Sequence, residues 1–184
     1  MTSRSEAAGR AAAALLLLAV AGAPAAADDD WLGIGGHATT WVTPDAEDSA
    51  SISFGAQVRV RPFRRIAFEG SLGLRDDEFG DGTLETRAYP LQASALFFLL
   101  TGRADVYLLG GITYLIVDVD DDLLGGDDQQ RIPGFHAGGG AQVKIFGPWR
   151  VHADGRYLVA SDDYEGRSLD FDGFQLHAGI SYWF

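Results

Sequence analysis

No cysteine occurs in the 184-residue chain, which removes a disulfide framework, a thiol nucleophile and any cysteine-based zinc site. Lysine is nearly absent as well, Lys144 being the only one. The formal charge of −12 argues against nucleic acid as a partner, because phosphates need a basic surface. Beyond residue 27 there is no apolar run approaching the roughly 20 residues of a spanning helix, although 47% of the chain is hydrophobic. That apolar content is dispersed by alternation, so any insertion into a membrane has to be as strands. What the chain carries in quantity is glycine, 24 residues, an unusual load for a soluble α/β enzyme.

The first 27 residues differ from the rest. Arg4 and Arg10 precede an apolar stretch from Ala11 to Ala21 that includes Leu15–Leu18, and Ala25-Ala-Ala27 stands before Asp28. A basic segment, a short apolar segment and an A-x-A site make a secretory signal peptide, with cleavage expected after Ala27. The stretch is too short for an anchor helix. The expected organisation is therefore a signal peptide over 1–27 and one domain over 28–184.

Period-two alternation predicts eight strands in that domain, at about 31–42, 51–61, 65–75, 84–99, 104–117, 132–146, 149–160 and 171–184. The second is the clearest. Ile52, Phe54, Ala56, Val58 and Val60 alternate with Ser51, Ser53, Gln57, Arg59 and Arg61. The third sets Ile66, Phe68, Leu72 and Leu74 against Glu69, Ser71 and Arg75, and the seventh sets Val151, Ala153, Tyr157 and Val159 against Arg150, His152, Asp154 and Arg156. Along the last strand, Ile180, Tyr182 and Phe184 share one face, with Gln175, His177, Gly179 and Ser181 on the other. Each run reaches the length a tilted membrane strand needs, about 9–11 residues.

The connections decide the architecture. Three are tight, at Pro62-Phe63-Arg64, Leu100 to Arg103, and Gly147-Pro148, and four are longer and polar, at 43–50, 76–83, 118–131 and 161–170. Alternation of short turns with long loops is what an eight-stranded antiparallel up-and-down transmembrane β-barrel demands, with the turns on the periplasmic side. A lipocalin-like soluble barrel reads the same alternation inside out. It is disfavoured because the polar parity is rich in glycine, serine and long charged chains that cannot line an apolar pocket.

Charge divides between the two poles. The long loops are acidic, and the third gathers Asp118, Asp120, Asp121, Asp122, Asp127 and Asp128, a candidate site for attracting divalent cations or a cationic partner. It fails as an EF-hand, since Leu123 holds the glycine position and Gln129 the glutamate position. The short turns carry Arg61, Arg64, Arg65, Arg103 and Arg150, suited to anionic lipid headgroups. Trp31, Phe63, Phe98, Phe146, Trp149, Trp183 and Phe184 on the turn side, and Trp41, Tyr114, Phe135, Tyr164 and Phe171 on the loop side, are expected to form two interfacial aromatic belts.

The inward parity holds the remaining candidates. The third and seventh strands face each other across an eight-stranded ring. Glu69, Arg156, Asp154 and Arg59 fall at comparable depth, and a narrow interior cannot leave them unpaired, since an isolated buried charge costs several kcal/mol. An ionic plug is the expectation. His37 and His177, on the strands that close the ring, are expected to stack beside it.

In this pattern, the chain resembles the small outer-membrane β-barrel family typified by the OmpA barrel domain and OmpX. The features shared are the signal peptide, eight strands, glycine-containing strands such as Leu108-Leu-Gly-Gly-Ile-Thr-Tyr114, Arg156-Tyr157, and the aromatic Phe184. The resemblance implies a location in the outer membrane of a Gram-negative bacterium, contact with outer-membrane lipids, and a structural, surface-interaction or narrow-pore role. It also implies that Ile180, Tyr182 and Phe184 act as an assembly signal read by the barrel-assembly machinery. No cofactor, metal or catalytic residue follows from it. The alternatives are a lipid-A-modifying enzyme and a soluble periplasmic ligand-binding barrel. The first is disfavoured because His37, His136, His152 and His177 all fall on inward parity, away from lipid.

Overall fold

The structure, a computed structural model, describes residues 30–42, 51–79, 84–119, 128–164, 167–170 and 172–184. Residues 1–27, expected as a signal peptide, lie outside the described residues. The elements are β1 (Leu32–Val42), β2 (Ser51–Phe63), β3 (Ile66–Phe79), β4 (Leu84–Leu100), β5 (Ala104–Val119), β6 (Asp128–Phe146), β7 (Trp149–Val159), β8 (Ser161–Tyr164), β9 (Arg167–Asp170) and β10 (Gly173–Trp183). Eight of them form one closed antiparallel barrel in the ring order β1-β2-β3-β4-β5-β6-β7-β10, and β8 pairs with β9 as a separate hairpin. Closure runs along β1 and β10, from Gly33 opposite Trp183 to Val42 opposite Phe174. Each barrel strand pairs with the next barrel strand along the chain, the meander expected from the turn lengths.

The wall is inside out relative to a soluble protein. Phe135 and Phe54 are 71% and 67% exposed, whereas Arg59 and Arg156 are 0% and 1% exposed. A chain folding in water would reverse this, since burying a large apolar side chain is worth about 1.5–3 kcal/mol. The outward face is therefore the one that meets hydrocarbon.

Both ends of the described barrel sit on the short-turn side. The Trp31 N–H donates to the Phe184 carbonyl at 2.9 Å and the Phe184 N–H to the Leu32 carbonyl at 2.8 Å. The β6–β7 turn is two residues long, Gly147-Pro148. Gly147 has φ +51°, a left-handed conformation open to glycine at little steric expense. At Gly33 the reason for glycine is different: an added Cβ would stand 2.6 Å from Cε2 of Trp183.

That contact belongs to a correction of the aromatic belts. Trp183, Phe98 and Trp41 do not face the membrane boundary but are buried, at 2%, 0% and 5% exposure. Because Tyr182 and Phe184 point out, strand geometry turns Trp183 in. Phe98 packs with Ala67, Leu96, Tyr107 and Leu109, and Trp41 with Leu115, Ile132, Leu158 and Ala160. These two apolar clusters occupy opposite ends of the interior. Phe63, Tyr114, Phe135, Phe146, Tyr182 and Phe184 do lie exposed on the outer face. Phe171 falls outside the described residues.

The strands also run further than alternation indicated. β3 continues to Phe79 and β6 begins at Asp128, and 161–170, expected as a loop, contains the β8–β9 hairpin with Ser161 opposite Asp170. Outside the hydrocarbon a strand can be polar on both faces, so no apolar period marks it. Val60, outward by parity, is buried where the β2–β3 register shifts between Val60 and Phe63.

Candidate functional site: the barrel interior

An eight-stranded ring leaves an interior just wide enough for side chains to fill. Here they fill it with charge. Glu69 on β3 lies beside Arg59 on β2, its partner in the ladder, and the Arg59 Nε donates to Glu69 Oε2 at 2.5 Å. Arg156 on β7 reaches across the interior and donates from Nη2 to Glu69 Oε1 at 2.7 Å. Its Nε donates to Asp154 Oδ1 at 2.7 Å, and Arg59 Nη2 stands 3.7 Å from Asp154 Oδ2. Two guanidiniums and two carboxylates thus close a four-membered ion-pair ring of zero formal charge, with all four side chains no more than 1% exposed. The structure brings together the four residues that sequence spacing grouped.

The ring is tied to every quarter of the wall. Arg59 Nη1 donates to Gln142 Oε1 on β6 at 3.1 Å, and the Tyr107 hydroxyl on β5 donates to Asp154 Oδ2 at 3.0 Å. Arg156 Nη1 donates to Gln92 Oε1 on β4 at 2.8 Å, and Gln92 Nε2 donates onward to Gln175 Oε1 on β10 at 3.0 Å. Opposite strands in this ring are four positions apart. Direct bonds therefore span three of its four diameters: β2 to β6, β3 to β7, and β4 to β10.

Four histidines line the same interior, all buried. The rings of His37 and His177 lie 5.4 Å apart at 31°. His177 Nε2 is 3.2 Å from Gln175 Oε1, an acceptor, which assigns the proton to Nε2 and leaves Nδ1 to accept from the Thr39 hydroxyl at 3.1 Å. His136 lies 2.8 Å from both Ser94 Oγ and Thr113 Oγ1. Among the described residues, His37 Nδ1 and both ring nitrogens of His152 have no hydrogen-bond partner. A cavity of about 10 Å³ beside His37 and His177, bordered by Thr39, Gln92 and Gln175, has room for about one water molecule. Among the described residues, no three histidine, aspartate or glutamate side chains converge as metal ligands.

The turn-side rim is a second ionic assembly, and its acids escaped notice in the sequence. Asp105 accepts from Arg61 at 3.1 Å, Arg150 at 3.2 Å, Gln142 at 2.7 Å and the Gly102 N–H at 2.8 Å. Asp30 accepts from Arg150 at 2.7 Å and Lys144 at 3.1 Å. The guanidiniums of Arg61 and Arg150 lie over the rings of Phe98 and Trp183 at 4.1 and 4.6 Å. The turn side is thus not uniformly basic: Arg61 and Arg150 are neutralised there, while Arg64, Arg65 and Arg103 stay exposed. Burial pushes the Asp30 carboxyl up, but hydrogen bonds and charge from Arg150 and Lys144 hold it below its ordinary value.

Of the acidic-loop residues, Asp118 lies in the β5 ladder opposite Gln129, and Asp128 in β6 opposite Val119. Asp120, Asp121, Asp122 and Asp127 are outside the described residues. Ile180, Tyr182 and Phe184 stand exposed on the outer face, with Trp149, Tyr182 and Phe184 in a ring series at 5.3 and 4.8 Å. Sequence reasoning missed Asp105, Tyr107, Gln92 and Gln175. A polar residue at alternate positions of β4 (Gln92, Ser94) and β5 (Asp105, Tyr107) was the available signal.

The outer membrane protein beta-barrel domain family matches residues 13–182. The chain belongs to that family. Membership and the inverted wall make it an integral protein of the Gram-negative outer membrane. Among solved structures it is similar to Neisserial surface protein A, with a TM-score of 0.64 at 16% identity over 85% of this chain and 98% of that one. It is similar to the N-terminal β-barrel domain of Pseudomonas aeruginosa OprF, with a TM-score of 0.60 at 10% identity over 85% and 98%. The attachment invasion locus protein of Yersinia pestis, Ail, gives 0.53 at 15% over 84% and 97%. At such identities the likeness is one of fold. No curated protein matches the chain in sequence.

Proposed function

We infer that this family member is a closed, non-enzymatic barrel that holds its long loops at the cell surface, where their aspartates meet divalent cations or a cationic partner. The observation that carries the closed state is the set of direct side-chain bonds across three of the four diameters of the ring. An ion passing through would have to break at least one bond between groups screened from water, and a buried charge pair parted from its partner is destabilised by about 3–5 kcal/mol. The apolar clusters around Phe98 and Trp41 add a barrier to hydrated ions on either side of the charged middle.

The non-enzymatic part of the reading rests on direction. All four histidines are interior, so none stands where an outer-membrane lipid could reach it. Outer-membrane lipids are the partner of the wall. Ile180, Tyr182 and Phe184 suit contact with the assembly machinery during insertion, being exposed together on one face of β10 and the residue after it. The test is passive transport: the purified full chain in liposomes should leave small sugars and ions trapped. Rapid release on reconstitution would replace the closed platform by an open channel.

A further inference from the structure

The turn-side rim has two unlike arcs. Along β6, β7 and β10 it is aromatic, with Phe146, Trp149, Tyr182 and Phe184 in ring contact in that order. Along β2 to β5 it is cationic. Arg64 and Arg65 on the β2–β3 turn and Arg103 on the β4–β5 turn are all exposed, and none is in an ion pair among the described residues. The rim carboxylates cannot neutralise them, because Asp30 and Asp105 are committed to Arg61, Arg150 and Lys144.

These three arginines stand on a fastened base. The Arg61 guanidinium donates to the Arg64 carbonyl from Nε at 3.2 Å and from Nη2 at 2.6 Å. The same side chain pairs with Asp105, and Asp105 Oδ1 accepts from the Gly102 N–H on the next turn. The Phe98 N–H donates to the Arg65 carbonyl at 2.9 Å. One ion pair, Arg61–Asp105, thus ties down the backbone of both turns from which the exposed cations project. Immediately toward the membrane, Phe63, Ile66 and Phe97 are 60%, 37% and 46% exposed, and Ile66 and Phe97 are paired across the ladder.

We propose that Arg64, Arg65 and Arg103 form a seat for the phosphate of an anionic glycerophospholipid in the periplasmic leaflet, whose acyl chains lie on Phe63, Ile66 and Phe97. The cations select the charge: a zwitterionic headgroup brings an ammonium that three guanidiniums repel, whereas an anionic one does not. The apolar strip selects a lipid over a free phosphate. Guanidinium suits the task because its planar donors match phosphate oxygens in pairs. The fastened turn backbone lowers the ordering cost of binding. The site rests on the placement of the barrel in the outer membrane and is independent of whether the interior is closed.

The test uses the full chain in nanodiscs of phosphatidylcholine containing a minor share of phosphatidylglycerol, with the lipids retained on mild extraction weighed by native mass spectrometry. The parent should retain phosphatidylglycerol above its bulk share, its apparent affinity for that lipid should weaken about fivefold for each guanidinium removed, and retention should reach the bulk share in R64Q/R65Q/R103Q. K144Q, near the turn-side end of β6, should keep the enrichment, and salt should weaken it. Heat-modifiable mobility checks that the triple variant is folded. Retention at the bulk share in the parent, or undiminished enrichment in the folded triple variant, overturns the proposal. So does binding of isolated peptidoglycan that the triple variant loses while lipid retention is unchanged. A parent that conducts ions yet enriches the lipid leaves the seat intact and removes only the closed interior.

Discussion

The middle of the barrel and its turn-side rim are built from the same chemistry, arginine against carboxylate, at nearly the same distances. They differ in water. In the middle the ion-pair partners are no more than 1% exposed, while the rim runs from Asp105 at 3%, beside Arg61 and Arg150, out to Lys144 and Asp30 at 44% and 24%. Desolvation makes the middle an all-or-none device: each charge is tolerable only because every other one is present. At the outer edge of the rim, around Lys144 and Asp30, solvent and salt can replace a lost partner, so that pair does not determine whether the barrel stands.

The largest effect that would break this comparison is at the centre. Arg156→Ala leaves Glu69 and Asp154 each short of a partner and should lower stability by about 3–5 kcal/mol, read as a reduced urea midpoint in detergent or lipid. A loss no greater than at the rim would abolish the distinction. The wall carries the same gradient with depth. Arg at Leu72 or Leu108, exposed toward hydrocarbon, should cost about 2–4 kcal/mol, and Phe63→Arg at the turn-side edge about 0–1. Equal losses at the two depths would mean that the turn side is not at a membrane boundary.

Smaller still is Lys144→Ala, expected to cost below about 1 kcal/mol and to lose even that in high salt. The smallest effect concerns pH. The carboxyl of Asp30 is held below its ordinary value when folded, so its contribution is complete above the unfolded value and is lost as pH falls through the lower folded one. Asp30→Asn should flatten that acid-side part of the stability profile, with a constant small loss and no change of slope at neutral and alkaline pH. An Asp30→Asn profile identical in shape to the parent's would show that the rim pair adds nothing to folding.

The wall was legible because one force acts on it. Wherever a strand crosses hydrocarbon, an apolar residue at one parity is enforced, and β2, β3 and β7 advertise their facing directly. The interior was legible where it is charged and where His37 and His177 meet on the closing strands. Glu69 and Arg156 could be matched because opposite strands in a ring of eight are known once the count is known, and unpaired charges are excluded. On β4 both parities are apolar near the turn, with Ala95 and Phe97 on one side and Leu96 and Phe98 on the other, so no period distinguishes Phe98 as interior. Trp183 was misplaced by residue type, although its position between Tyr182 and Phe184 required it to turn inward. The β8–β9 hairpin gave no signal because polar strands outside the membrane have no face to hide. Asp105 was hidden for a related reason: at a strand start beside a turn, a buried acid and a solvated one look alike in sequence.

The central claim, that the ionic ring closes the interior, is tested most directly by single-channel recording of the parent, Glu69→Gln and Arg156→Ala in planar bilayers. The account predicts a parent without steady conductance and openings in both variants, each of which releases one side of the ring. Steady current through the parent, or variants that are folded and as silent as the parent, would contradict it.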